Sequence, residues 1–259
     1  MYRRLFLGTI AGSGLASMFA ATPKGHIIEL RHYSMRNNSD AQMQRTSEFI
    51  EKYALPAGKR AGEGVSGVFA NLIGPGGPYL LLVNSYPSLA AMEEIQSKSS
   101  GDKEFTEALD AYYKRSGLGF ERVNVSLLRA IDSMPKIEPP PIEEGKAPRV
   151  FELRTYESNN SATLRRKVQM FEQGGELGIF RRVGIRPVFF GTAITGDNLP
   201  QLTYMVCYDD LAGREKAWKA FLADPEWLKL RVQPGLADAE IVSNISNTIL
   251  RPLPFSPVR

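Results

Sequence analysis

Hydrophobic and polar positions along this chain follow two rhythms, and the rhythms recur in the same order twice. Residues 26–35 read His-Ile-Ile-Glu-Leu-Arg-His-Tyr-Ser-Met, and residues 149–157 read Arg-Val-Phe-Glu-Leu-Arg-Thr-Tyr-Glu. Alternation of this kind predicts a half-buried strand at each place. Helical spacing follows. In the first instance it starts at the N-cap candidate Asp40 and runs through Met43, Thr46, Phe49, Ile50 and Tyr53. In the second it starts near Ser161 and runs through Leu164, Val168 and Phe171. Pro56 and the Gly174-Gly175 pair are expected to end or kink these helices. Strands are then predicted at 67–72 and 186–192, and at 79–86 and 202–208, with glycine-rich turns between them. A second helix is predicted at 88–115 and at 211–231, and a closing strand at 122–130 and at 240–250. The order β-α-β-β-α-β, twice over, is an α+β arrangement of two ferredoxin-like units.

The duplication holds at the level of residues. Glu29-Leu30-Arg31 returns as Glu152-Leu153-Arg154, 123 positions later. Tyr86-Pro87-Ser88-Leu89 returns as Tyr208-Asp209-Asp210-Leu211, Asp102-Lys103-Glu104-Phe105 as Asp224-Pro225-Glu226-Trp227, and Leu127-Leu128-Arg129 as Ile249-Leu250-Arg251, each 122 positions later. The units therefore span 26–134 and 149–259. The intervening 135–148, with Pro135, Pro139, Pro140, Pro141 and Pro148, reads as a semi-rigid connector.

The first 22 residues stand apart. Arg3-Arg4 followed by Leu5-Phe6-Leu7 and a run rich in Gly, Ala and Ser resembles a bacterial twin-arginine signal peptide. That resemblance implies export, to a periplasm, of a protein that is not held in the membrane once the signal is removed. Composition is globular, with 43% hydrophobic and 23% charged residues, and the net charge of +4 is scattered rather than clustered. Nucleic acid is excluded as a partner on that ground. The single cysteine, Cys207, allows no internal disulfide and sits in an apolar run, where it reads as a core residue.

The Glu-Leu-Arg-x-Tyr opening strand resembles the NIPSNAP family. So do Tyr208-Asp209-Asp210-Leu211-Ala212-Gly213-Arg214-Glu215, Trp218, Asp224-Pro225-Glu226-Trp227 and the close at 250–257. The match is weaker in the first unit, where Phe105 replaces the tryptophan. The resemblance implies a dimeric α/β barrel, formed here within one chain, with a pocket inside it. It carries no settled chemistry, so whether the protein is an enzyme is left open.

Candidate site residues come from the opening strands. Alternation separates Glu29, Arg31 and Tyr33 from Ile28, Leu30 and His32, and separates Glu152, Arg154 and Tyr156 from Phe151, Leu153 and Thr155. With helices expected on the apolar side, the polar set is expected to face the space between the two sheets. There it forms either a charge network that docks the units or a pocket. In the pocket reading the arginines hold an anionic small molecule, and the carboxylates and tyrosines serve as acid, base or donor. His26 and His32 lack partners at metal-ligand spacing, so no metal site is expected; haem, needing one axial histidine, is the weaker cofactor reading. Three functions follow: small-molecule binding between the sheets, a cofactor-independent or haem-dependent oxygenase like other barrels of this type, or a non-catalytic structural or interaction protein. A homo-oligomer beyond the internal pseudo-dimer also stays open.

Overall fold

A computed structural model describes residues 25–259; the leader with Arg3 and Arg4 lies outside them. The first unit runs β1 (Ile27–Ser34), α1 (Gln42–Phe49), α2 (Leu55–Ala61), β2 (Ser66–Ile73), β3 (Tyr79–Tyr86), α3 (Leu89–Ser100), α4 (Lys103–Lys114) and β4 (Arg122–Ala130). The second runs β5 (Val150–Glu157), α5 (Ser161–Glu172), α6 (Glu176–Val183), β6 (Arg186–Thr195), β7 (Gln201–Tyr208), α7 (Leu211–Ala223), α8 (Pro225–Leu230), a short α9 (Asp238–Ile241) and β8 (Asn244–Pro252). All eight strands close into one antiparallel barrel in the order β1-β3-β2-β8-β5-β7-β6-β4. Each unit contributes four neighbouring strands. The two joins are equivalent: the last strand of each unit pairs with the second strand of the other, β4 with β6 and β8 with β2. This is the intrachain barrel that the duplication implies.

Local chemistry explains where the elements break. Pro56 does not end its helix. A π-helical turn, Ile50–Ala54, joins α1 to α2, and the Leu55 amide donates to the Ile50 carbonyl five residues back. The wider turn accommodates a proline that has no N–H and whose ring would crowd the preceding carbonyl. Gly174-Gly175 does separate α5 from α6, with Gly175 in the left-handed region. Each predicted second helix is in fact two. Asp102 and Asp224 adopt extended backbone and accept amide hydrogens from the following turn, starting α4 and α8. Both aspartates are also gripped by an arginine of the preceding helix layer, Arg60 at 2.7 Å and Arg182 at 2.8 Å. The closing strand of the second unit begins at Asn244, because residues 238–241 form α9.

The connector is not free along its length. Ile131 N–H donates to the Phe190 carbonyl and Glu138 N–H to Val188, and Met134 and Ile137 are buried. The C-terminal tail repeats the move on the first unit, Leu253 N–H donating to the Val68 carbonyl. Each unit thus lays the segment after its last strand across the other.

The barrel is filled by one apolar cluster drawn from both units, including Ile28, Leu30, Phe69, Leu128, Phe151, Phe189, Met205 and Leu250, with Cys207 among them. An eight-stranded barrel has an interior just wide enough for side chains. Phe69 and Phe151 meet there with ring centroids 4.9 Å apart, one from each unit. Replacing either with alanine is expected to cost about 3–5 kcal/mol. Chemical denaturation of both singles and the double should return a coupling of about 0.5–1.5 kcal/mol. Additive losses would show that the units do not share a core.

Candidate functional site

The same filling corrects the expected direction of the polar motif. Ile28 and Leu30 point into the barrel, and so does Phe151, whereas Glu29, Arg31, Tyr33, Glu152, Arg154 and Tyr156 point outward, beneath the helices. Alternation separates two faces but does not say which is inner, and here both faces are covered. The inner one is packed with apolar side chains from both units. The outer one meets amphipathic helices, which carry the donors that buried carboxylates require. The space between the sheets is therefore not the pocket.

In the second unit the motif is a finished network. Glu152 is 0% exposed and accepts six hydrogen bonds. Arg214 of α7 forks onto it at 2.7 and 2.8 Å, and Arg154 reaches it at 2.8 Å. Trp218 Nε1, Asn247 and Tyr208 complete the set at 3.1, 3.1 and 3.2 Å. Burial pushes the Glu152 carboxyl up, but the Arg214 hydrogen bonds and the Arg154 charge outweigh it and hold the group below the usual carboxylate range. Arg154 also donates to the Tyr156 and Tyr204 hydroxyls and lies over the Trp218 ring, 4.5 Å from its centroid. Nearby, buried Lys167 stands 3.4 Å from Glu176 and 3.5 Å from Asp238, and burial pushes the Glu176 carboxyl up to about 7. Aromatic side chains close the space: Phe180, Phe221 and Tyr204 pack with Trp218 and Phe190 in one cluster.

In the first unit the same motif opens onto a cavity of about 440 Å³ between the sheet and helices α1 to α4. The matched positions, 122 residues earlier, explain it. Phe180 becomes Gly58, Trp218 becomes Gln96, Phe221 becomes Ser99 and Tyr204 becomes Leu82, and all four replacements line the cavity. The register is fixed by structure: Gly62 and Gly184 end α2 and α6 with the same left-handed cap, and Ser88 and Asp210 start α3 and α7. The opening is thus a change of side chains on one backbone plan. The π-helical turn lies along its wall at Ile50 and Ala54.

The polar floor of the cavity differs from its counterpart. Glu29 is 0% exposed and pairs with Arg31 at 2.9 Å. It accepts from Asn84 and Tyr86, both at 3.1 Å. Met92 stands where Arg214 stands and Val125 where Asn247 stands, so most of the donors that satisfy Glu152 are missing. Glu29 Oε1 is met only by Arg31, and Asn84 Oδ1 is buried without a hydrogen-bond partner. A second carboxylate has moved in. Glu63 occupies room that Gly58 leaves, since a side chain at Gly58 would collide with it. Tyr86 Oη lies 2.8 Å from Glu63 and 3.1 Å from Glu29, and one phenolic proton cannot serve both. Burial pushes the Glu63 carboxyl up, and burial beside the two glutamates pushes the Tyr86 hydroxyl up as well. Glu63 can therefore hold a proton where an ordinary glutamate has lost it, and give it to Tyr86 Oη as the Tyr86 hydroxyl gives its own proton to Glu29.

All six motif residues gather at these two places, three in each. His26 and His32 do not join them. His26 bonds to Ser85, and the His32 ring packs at a tilt against Tyr79. No histidine, cysteine or methionine is among the residues that line the cavity, so an axial haem ligand of those types is not offered there. Among the described residues no cluster of three or more metal-binding side chains occurs, and no helix is long and apolar enough to cross a membrane. Sequence reasoning missed Glu63, Asn84 and Lys167, and passed over Arg214 although it lies within a recognised motif. Comparing the two units position by position, Gly58 against Phe180 above all, would have found the cavity.

The family model that matches this chain is NIPSNAP, over residues 28–126 and again over 151–257. No curated protein matches. Among solved structures, a candidate monooxygenase of Fusobacterium nucleatum is similar at 10% identity and TM-score 0.59, covering 90% of this chain and 94% of that one. A candidate monooxygenase of Lactobacillus acidophilus is similar at 11% identity and TM-score 0.57, covering 87% and 93%. An uncharacterised NIPSNAP-like domain protein of Burkholderia xenovorans is 28% identical over 42% of this chain and 89% of its own, with a TM-score of 0.38.

The contrast between the two glutamates is measurable. Glu152→Ala strands Arg154 and Arg214 under the helices and is expected to cost about 3–5 kcal/mol. Glu29→Ala should cost distinctly less by the same denaturant titration, because Arg31, 32% exposed, can turn to water. Equal losses would contradict the assignment of a closed and an open copy. Glu63 gives a pH signature. Its folded-state affinity for a proton is raised, so its contribution to stability is present at low pH and lost as pH rises above the ordinary glutamate range. Glu63→Gln should flatten that fall.

Proposed function

Since the chain belongs to the NIPSNAP family in both of its units, we propose that the two copies have divided their roles: the first binds a small molecule in its outer cavity, and the second is the closed, structural counterpart. The observation that carries this is the pairing of a retained motif with a removed plug. Glu, Arg and Tyr stand at matched places in both units, but only the first trades Phe180, Trp218 and Phe221 for Gly58, Gln96 and Ser99. A cavity of about 440 Å³, largely apolar with a few convergent polar groups, is of ligand-binding size. A buried acceptor without a partner, as at Asn84 Oδ1, is costly to keep, and a bound ligand would satisfy it. The expected seat between the two sheets is replaced by this one.

Acid–base chemistry is the enzymatic reading that the site supports. Glu63, Tyr86 and Glu29 form a short path for a proton, and Arg31 stands beside it to stabilise negative charge. The likeness to candidate monooxygenases speaks for the fold, and the reaction is not carried over from it.

The test is saturable binding of the neutral fluorophore N-phenyl-1-naphthylamine. The double variant Gln96→Phe/Ser99→Phe, which refills the cavity as the second unit is filled, should lose that binding while its melting temperature stays level or rises. Undiminished binding in a folded double variant would place the ligand elsewhere. Export belongs to the same proposal and rests on the Arg3-Arg4-Leu5-Phe6-Leu7 leader. Changing both arginines to lysine should leave precursor in the cytoplasm; an unchanged periplasmic yield would refute it.

A further inference from the structure

The duplication gives the cavity an internal reference: what the second unit puts in the matched volume is a picture of what the first unit's floor is built to meet. In the second unit that volume holds the Trp218 indole. Its Nε1–H donates to Glu152 Oε2 at 3.1 Å, and its face lies against the Arg154 guanidinium, 4.5 Å from the ring centroid. Phe180 and Phe221 meet the indole edge-on, each with a centroid separation of 5.6 Å. In the first unit Glu29 and Arg31 remain as floor, and Gln96 leaves the indole's place open. Glu152 accepts six hydrogen bonds, whereas Glu29 has three donors, Arg31 on Oε1 and Asn84 and Tyr86 on Oε2; the indole N–H, the second arginine and the Asn247 amide are gone, and only Asn84 has been added.

We infer that the first-unit cavity takes a planar aromatic molecule carrying an N–H or O–H donor, seated where the second unit seats its own tryptophan, with the donor on Glu29 and the ring face on Arg31. The inference rests on the binding reading above and names the ligand class for that site. Three features point to a donor rather than an anion. The acceptors short of donors are the carboxylate of Glu29, which has three donors where Glu152 accepts six hydrogen bonds, and the amide oxygen of Asn84, which has none, with the carboxyl of Glu63 close by. The one arginine on the floor is already paired at 2.9 Å. Met92 has replaced the second arginine that Glu152 enjoys, so the site is poorer in positive charge than its counterpart. This reverses the expectation of an anionic ligand held by Arg31. An aromatic is favoured over an aliphatic because a guanidinium face attracts a π-face. Phe49, Phe105 and Tyr112 wall the cavity besides.

Indole and 1-methylindole separate the possibilities in the wild-type protein, with displacement of N-phenyl-1-naphthylamine as the readout. The two differ by the donor and one methyl group. Indole should displace the fluorophore at a concentration at least tenfold lower than 1-methylindole, and Glu29→Leu, checked for folding by circular dichroism, should abolish that preference. An N–H proton of bound indole shifted downfield in the NMR spectrum would report the hydrogen bond without any variant. Equal displacement by the two ligands would overturn the inference. So would failure of both to displace a fluorophore whose binding is saturable and lost on refilling the cavity, and in that case the cavity would stand as a binding site for another class. If the fluorophore itself does not bind, the binding reading falls and the inference with it.

Discussion

A carboxylate held wholly out of water has to be met by donors, and much of this molecule is arranged around two of them. Glu29 and Glu152 sit on the first strand of each unit with no exposure at all. Each needs an arginine two residues along the same strand face and a tyrosine from the neighbouring strand. In the second unit the helix layer adds Arg214 and Trp218, so the carboxylate fixes α7 against the sheet. Stranding the arginines of the closed copy would cost several kcal/mol, a large share of the stability of an ordinary domain. The charged pair thus sets where the helices can lie.

Barrel closure is the complementary constraint. Neither unit can bury its inner face alone, because Phe69, Phe151 and their neighbours belong to a single cluster. Closure removes sheet edges, which would otherwise be open to pairing with other chains. The segments after β4 and β8, laid over the opposite unit, reinforce it. With the interior committed to packing, any change that makes a pocket has to occur outside, between sheet and helices. Shortening side chains on α2 and α3 opens space there while the barrel is untouched.

Duplication makes that change affordable. One copy keeps a rigid, satisfied network and holds the shared core, so the other can carry an incompletely satisfied carboxylate and a cavity. The stability that the open copy forgoes is the kind of cost associated with binding sites, where polar groups wait for a ligand. The π-helical turn at the cavity wall fits this division, because Pro56 forces an irregular turn on the side where the first unit is open, while the second unit has a glycine break.

The chain by itself determined the duplicated β-α-β-β-α-β order, the strand positions to within a few residues, and the Glu, Arg and Tyr residues that matter. These follow from local periodicity and from matches at a fixed spacing, which need no three-dimensional information. It also held the clue to the cavity, in the exchange of Phe180 for Gly58 and Trp218 for Gln96. What it could not show is which sheet face is inner. Both faces of β1 and β5 are covered, so Ile28 against Glu29 reads the same whichever way the strand is turned. Nor could it show that Arg214 or Glu63, distant along the chain, would arrive beside a buried glutamate. Those outcomes depend on packing between elements: a narrow closed barrel rejects charge, the amphipathic helices accept it, and the ligand seat lies where helix side chains fall short of the sheet.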